Sequence, residues 1–205
     1  MFSSDGPCPA CGAFSDSHGN HAISCAMAGE RIARHNHLRD AIFQMAQSAN
    51  LAPLKEGRAL LPGTEERPAD VLIPKWSGGK DTAYDVTVVN PLRLDLAKKS
   101  AEEPGFAVAQ AYRSKWSKYG PCPSCESQGL EFIPLPVDTF GCWHATAINH
   151  LKKLGSALAR ATCSEESVVT QHLFQCLSIL LVKDNASLLL NRIPRHVNPP
   201  INGIL

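Results

Sequence analysis

The chain has 205 residues, of which 44% are hydrophobic and 19% charged, with 20 Lys plus Arg against 19 Asp plus Glu for a net charge of +1. This composition supports a sizeable buried core, and it excludes both global disorder and a polycation that binds through its overall field. The longest apolar run, 177–190, is broken by Lys183, Asp184 and Asn185 and falls short of the ~18 residues of a membrane span, so no membrane is expected.

Residues 1–26 are rich in Cys, His, Gly and Ser, the composition of a small metal-tied knob. No apolar segment follows a basic start, so no secretory signal is expected. The eight cysteines then point to a reducing compartment, where thiols hold metal or lie buried. From Gly29 the pattern changes. Ile32, Leu38, Ile42, Phe43 and Met45/Ala46 recur at helical spacing, which predicts a helix ending near Asn50. A short strand is predicted over 54–56, followed by a Pro/Gly-rich loop. ADVLIP (69–74) and AYDVTVV (83–89) are rich in β-branched residues and flank KWSGGKDT, which predicts a hairpin. Residues 97–119 predict helix interrupted at Pro104-Gly105. LEFIPLPV predicts a strand that its prolines confine to an edge or an end. Two helices, over about 143–162 and 165–182 with an apolar tail to Leu190, complete an α/β core with a mixed β-sheet flanked by helices.

Cys8-x2-Cys11 followed by His21-x3-Cys25 is a CCHC set within 18 residues. Cys-x2-Cys turns two sulfurs to one side of a tight turn. His21 and Cys25, four apart, share a helical face and close a tetrahedron suited to structural Zn2+. His18 competes with His21 for the third place. Cys122-x2-Cys125 with Cys142 and His144 could form a second zinc site, although thiols flanking a turn are the default reading.

Asp70 opens the first hairpin strand and Asp85 lies in the second. If the strands pair antiparallel, the two carboxylates meet at one end of the sheet. Like charges placed so close need a cation, and hard oxygens suit Mg2+. Around this pair a resemblance emerges. The knob, Arg34-His35-Asn36, Pro68 to Asp70, Asp85-Val86-Thr87, and Lys115 with Tyr119 appear in order. The arrangement resembles the restriction-like endonuclease domain of site-specific non-LTR retrotransposons, a branch of the PD-(D/E)xK nucleases with a preceding CCHC zinc motif. Ala69 stands between Pro68 and Asp70, and Thr87 stands where the wider superfamily has its lysine. The resemblance implies that the lysine has moved to the helix as Lys115, with Lys118 as the other candidate.

That resemblance implies a zinc module over 1–28, a restriction-endonuclease-like nuclease domain over 29–190 and a tail over 191–205. It implies a DNA endonuclease using Mg2+ or Mn2+ at Asp70 and Asp85, with Lys115 and Tyr119 at the phosphate and Glu56 as a third carboxylate (Asp40 second). Arg34, His35, Arg113 and Lys118 are candidate DNA contacts, helped by a local charge of +3 over 92–119 with Trp116 and Tyr119 interleaved. The implied partners are DNA, a reverse transcriptase region in a parent element and, for double-strand cutting, a second copy of the chain. A nuclear location follows from the substrate alone. The alternative is a catalytically inactive zinc-containing nucleic-acid-binding module, or an adaptor without catalysis. Cys163, Cys176, Phe132, Phe140 and Trp143 are expected in the core.

Overall fold

The computed structural model describes residues 5–27, 29–57, 69–119 and 129–193. Its core is a four-stranded mixed sheet, order β3-β4-β5-β6, built from β3 (Leu54–Gly57), β4 (Ala69–Ser77), β5 (Lys80–Val89) and β6 (Leu130–Asp138). β3, β4 and β5 run antiparallel to their neighbours, whereas β6 pairs parallel with β5 along nine residues, from Asp81↔Leu130 to Val89↔Asp138. A parallel neighbour needs a crossover. Here α3 (Ala97–Glu102) and α4 (Phe106–Tyr119) lie within that crossover, between β5 and β6. The separate β1 (Gly6–Pro7) and β2 (Phe14–Ser15) pair beside α1 (Asn20–Ser24) to form the knob. α2 is Glu30–Ser48, α5 is Ala145–Ala161 and α6 is Glu166–Leu190.

Strand alternation divides the residues between two layers. Val71, Ile73, Tyr84, Val86, Ile133, Leu135 and Val137 pack with Leu38 and Ile42 of α2, Leu151 and Leu154 of α5, and Leu173, Leu177 and Leu181 of α6. The intervening Leu72, Ala83 and Phe132 pack with Tyr119 at the end of α4. With both faces covered, β6 is buried along almost its whole length. Pro134 and Pro136 are tolerated because β6 is an edge strand, as their missing N–H groups require.

The hairpin is longer than its β-branched core suggested. Lys75 to Ser77 and Lys80 to Thr82 join the strands, and the turn narrows to Gly78-Gly79, both at positive φ. The last helix also outruns its sequence reading. The tail after 182 continues α6 to Leu190, so this one helix is long and apolar enough by length and composition to cross a membrane. The run looked broken because Asn185 is polar, but Asn185 turns inward, donates to the Thr139 carbonyl and accepts from Arg34. Several expected core residues lie elsewhere: Phe140 is 67% exposed, Cys163 is exposed, Cys176 is half-buried and Ile32 is exposed. Phe132 and Trp143 are buried as expected.

Two polar anchors seat the knob on the core. Asn90, at the end of β5, donates to Ser24 Oγ at 2.7 Å. Arg192, beyond α6, binds both carboxylate oxygens of Glu30 at 2.9 and 3.0 Å and the Met27 carbonyl at 2.9 Å. Arg192 is 2% exposed, so this part of the 191–205 segment is built into the fold.

Helices α5 and α6 meet at Gly155, where a Cβ would stand 2.5 Å from Thr170 Oγ1 and 3.2 Å from its Cα. A Gly155→Ala variant therefore destabilises the protein by about 1–3 kcal/mol, as overpacked contacts do, read as a lowered denaturation midpoint. Thr170→Ala restores only part of this loss, since the backbone contact at 3.2 Å persists.

Candidate metal centre and acidic cleft

Cys8, Cys11, His21 and Cys25 converge with their ligand atoms within 4.8 Å of one another. Cys8 Sγ and Cys25 Sγ are 3.9 Å apart, and Cys11 Sγ lies 3.2 Å from His21 Nε2. A tetrahedron with Zn–S near 2.3 Å has S–S edges of about 3.8 Å, so the cluster can hold a metal ion such as zinc. Burial pushes the Cys8 thiol up, but the backbone amides of Ala10 and Cys11 outweigh it and, with His21, bring it down to about 6. A thiol held so low supplies the thiolate that a metal requires. The ring of His21, and not that of His18, faces the sulfurs. Its turn is set by Asp16, whose carboxylate accepts from the His21 and Asn20 amides.

The second centre lies on the sheet. The β4–β5 ladder is paired up to Val71↔Tyr84, and beyond it the Asp70 side chain itself takes the Val86 amide, which leaves Asp70 close enough to Asp85 for the two charges to interact. Asp85 is 7% exposed. Burial raises its carboxyl; Lys115 pulls the other way, and the neighbouring Asp70 charge raises it further. Lys115 reaches from α4 to place Nζ 3.0 Å from Asp85 Oδ1, and Thr87 Oγ1 donates to Asp85 Oδ2 at 3.1 Å. Asp70 accepts from the Val86 amide at 2.7 Å and from His35 Nε2 at 3.1 Å. The His35 ring is raised by that bond to Asp70, against the effect of its burial.

Asp70, Asp85, Lys115 and His35 are thus drawn together by four different elements. His35, read from the sequence as a phosphate contact, instead binds a carboxylate. Glu56 lies across the β3–β4 ladder from Asp70, but accepts from Arg39 at 2.7 Å. Asp40 accepts from Arg39 at 2.8 Å and pairs with Lys55 at 3.1 Å. Among the described residues neither forms a metal-sized group with Asp70 and Asp85, because Arg39 draws both carboxylates to itself. Tyr119 is 9% exposed and packs on Phe132, ring centroids 5.1 Å apart. Its ring serves the core, and the Lys118 ammonium sits over it at 4.7 Å.

Beside this cluster a cavity of about 560 Å³ runs between the knob, α2, the end of β5 and α4. Arg31, Arg34, Arg93 and Lys115 line it, with Ser24 and Asn90 at its knob wall. Arg34, expected from the sequence as a DNA contact, sits within the cavity wall with 3% of its surface exposed and donates to Asn185 at 2.6 Å, which braces the fold. Burial and the nearby Arg31 charge lower its guanidinium to about 10. Arg93, counted in the basic 92–119 stretch, and Arg31, which the sequence did not single out, line the cavity with Lys115; Arg31 donates to the Ser24 carbonyl and Arg93 to both oxygens of Asp95. Arg113 and Lys118 lie exposed on α4. Cys122 and Cys125 lie outside the described residues. Cys142 is exposed, and His144 caps α5 by accepting from the Thr146 amide at 3.2 Å.

No known family model matches this chain, and no curated protein matches it significantly.

The raised Asp85 carboxyl has a stability consequence. The folded state holds this proton more tightly than the unfolded chain, so burial of the charge costs stability above the raised value, and that cost vanishes as pH falls below the ordinary aspartate range. Without divalent cations, Asp85→Asn is expected to melt higher than wild type at pH 7, with the gain disappearing near pH 3.5. Equal or lower melting of the variant at pH 7 would show that burying the Asp85 charge carries no net cost.

Proposed function

We propose that this chain is a divalent-metal-dependent DNA endonuclease with a restriction-endonuclease-like core and a structural zinc knob. The observation that carries the reading is the nearness of Asp70 to the buried Asp85, whose carboxyl its charge raises, with the Lys115 ammonium 3.0 Å from Asp85. The donor chemistry fits Mg2+ or Mn2+: two carboxylates on adjacent strands supply hard oxygens, and their crowding is relieved by positive charge. Each oxygen accepts one protein hydrogen bond and keeps a further lone pair for a metal. When bound there, the metal would polarise the scissile phosphate and lower the pKa of a water.

The chain's own residues would then act as follows. Lys115, a cation in its pair with Asp85, stabilises charge that develops on the phosphorane oxygens. The Val86 amide and His35 hold the Asp70 carboxylate in one orientation. Thr87, standing where related nucleases carry a lysine, fixes Asp85 instead. Arg31 and Arg93 draw the phosphate backbone along the cavity. The arrangement resembles the retrotransposon restriction-like endonuclease. With it come the proposals of a reverse transcriptase region in a parent protein, a second copy for the second strand, and a nuclear site of action.

A second reading has its own support. Lys115 and His35 already satisfy both carboxylates, and no third carboxylate joins them among the described residues. On that reading the chain is a non-catalytic nucleic-acid-binding module. Supercoiled-plasmid nicking separates the two. The nuclease reading expects nicking with Mg2+ or Mn2+ that Asp85→Ala abolishes and that Lys115→Ala lowers ~10²–10³-fold, the scale of one lost charge-stabilising donor. Plasmid that is shifted in a gel but never nicked would establish the binding module.

A further inference from the structure

Three aromatic rings form a ladder where α4 meets the start of α5. Tyr112 stacks on His144 with centroids 4.2 Å apart and planes at 10°, and Trp116 stacks near-parallel with Tyr112 at 5.9 Å, again at 10°. Tyr112 and Trp116 are one helical turn apart, so the spacing that aligns them is built into the helix. His144 is fixed independently: its Nδ1 accepts from the Thr146 amide as the cap of α5. That bond sets the ring plane and leaves the neutral tautomer with its proton on Nε2. Burial and the Arg113 charge lower the His144 pKa, which favours that neutral ring at pH 7. The buried residues of α4 are Ala107, Val108 and Tyr119, so the ladder stands outside the fully buried face of the helix. Trp116, at the end of the ladder, is 38% exposed, a large aromatic surface left partly open to solvent.

The charge carried by α4 has one sign. α4 carries Arg113, Lys115 and Lys118 and no acidic residue over its 14 residues. On a helical projection Lys115 lies about 100° to one side of Trp116 and Arg113 about 60° to the other. A rigid stack of aromatic planes flanked by cations matches the chemistry of a nucleobase on its phosphate backbone. A duplex keeps its bases stacked on each other and offers no free face. The ligand must therefore be unpaired.

We infer that Trp116 and the Tyr112–His144 stack behind it form a base-stacking platform for an unpaired nucleobase of single-stranded DNA, with Arg113 and Lys115 on the flanking phosphates. The inference rests on the nucleic-acid reading of the neighbouring cleft and adds to it the state of the strand that is bound.

The test is binding, with no divalent metal present and therefore independent of any cleavage. Zinc-loaded protein is titrated against fluorescein-labelled dT12, its rU12 counterpart and a 12-base-pair duplex, each followed by anisotropy. Trp116→Ala is expected to weaken dT12 binding roughly 5- to 100-fold, the range of one base stack, and to leave duplex binding within about twofold. Trp116→Phe keeps a ring and is expected to retain most of the affinity. In the same titrations, dT12 quenches tryptophan emission in wild type, and that quench disappears in Trp116→Phe. The quench decides the matter even if Trp116→Ala does not fold. Unchanged dT12 affinity in Trp116→Ala, equal losses on duplex and single strand, absence of any quench, or no binding of dT12 at all would each overturn the platform. Tighter binding of rU12 than dT12 overturns the assignment to DNA. A protein that shows the Trp116-dependent quench but never nicks plasmid keeps the platform and loses only the nuclease reading.

Discussion

Two aspartates at the end of the β4–β5 hairpin, Asp70 and Asp85, impose the constraint around which this molecule is arranged. One residue of slip in either strand would turn that strand's aspartate to the other face of the sheet. Carboxylates so close and so little exposed need partners. The fold supplies them from two directions, with His35 from α2 on Asp70 and Lys115 from α4 on Asp85. The two aspartates therefore tie α2 and α4 to the sheet, and the raised Asp85 carboxyl is the local sign of what burying its charge costs.

The knob takes part in the same design. Ile23 and Ser24 at its end form one wall of the cavity, while Asn90 and Arg192 hold the knob in place. Without a metal to close it, a segment with two-residue strands and a five-residue helix has too little apolar area to fold alone. The zinc-sized cluster thus acts on the cleft at a distance, by fixing the wall against which Arg31 and Arg93 face Lys115. Arg34, Asn185 and the Thr139 carbonyl form a buried chain of hydrogen bonds that joins α2, α6 and the end of β6.

Much of this was legible in the sequence for physical reasons. The CCHC spacing, the β-branched hairpin, the proline-marked edge strand and the break at Pro104-Gly105 are local signals, and each element lies where local chemistry put it. The facing of Asp70, Asp85 and Lys115 was accessible too, since antiparallel pairing and a crossover helix leave few alternatives. What was hidden was the partner of each charge. Arg34 and His35 are neighbours on one helix, yet one is sealed against Asn185 and the other grips Asp70, and only the tertiary packing decides which. Glu56 has a carboxylate's chemistry at a suitable place in sequence, but Arg39, seventeen residues earlier, claims it. Tyr119 is similar: its spacing from Lys115 suggested a phosphate contact, whereas Phe132 on a strand formed later in the chain takes its ring. The Tyr112–Trp116 pair carried a helical-spacing signal that could have been found. His144 carried none.

The most direct measurement is anomalous scattering from crystals of the zinc-loaded protein soaked in Mn2+, recorded at wavelengths that separate the two metals. The expected result is a manganese peak at the Asp70 and Asp85 carboxylates and a distinct zinc peak among Cys8, Cys11, His21 and Cys25. Manganese absent from the aspartate pair, with Lys115 and His35 still bonded to it as in the metal-free arrangement, would contradict the claim that this pair is built to hold a divalent cation.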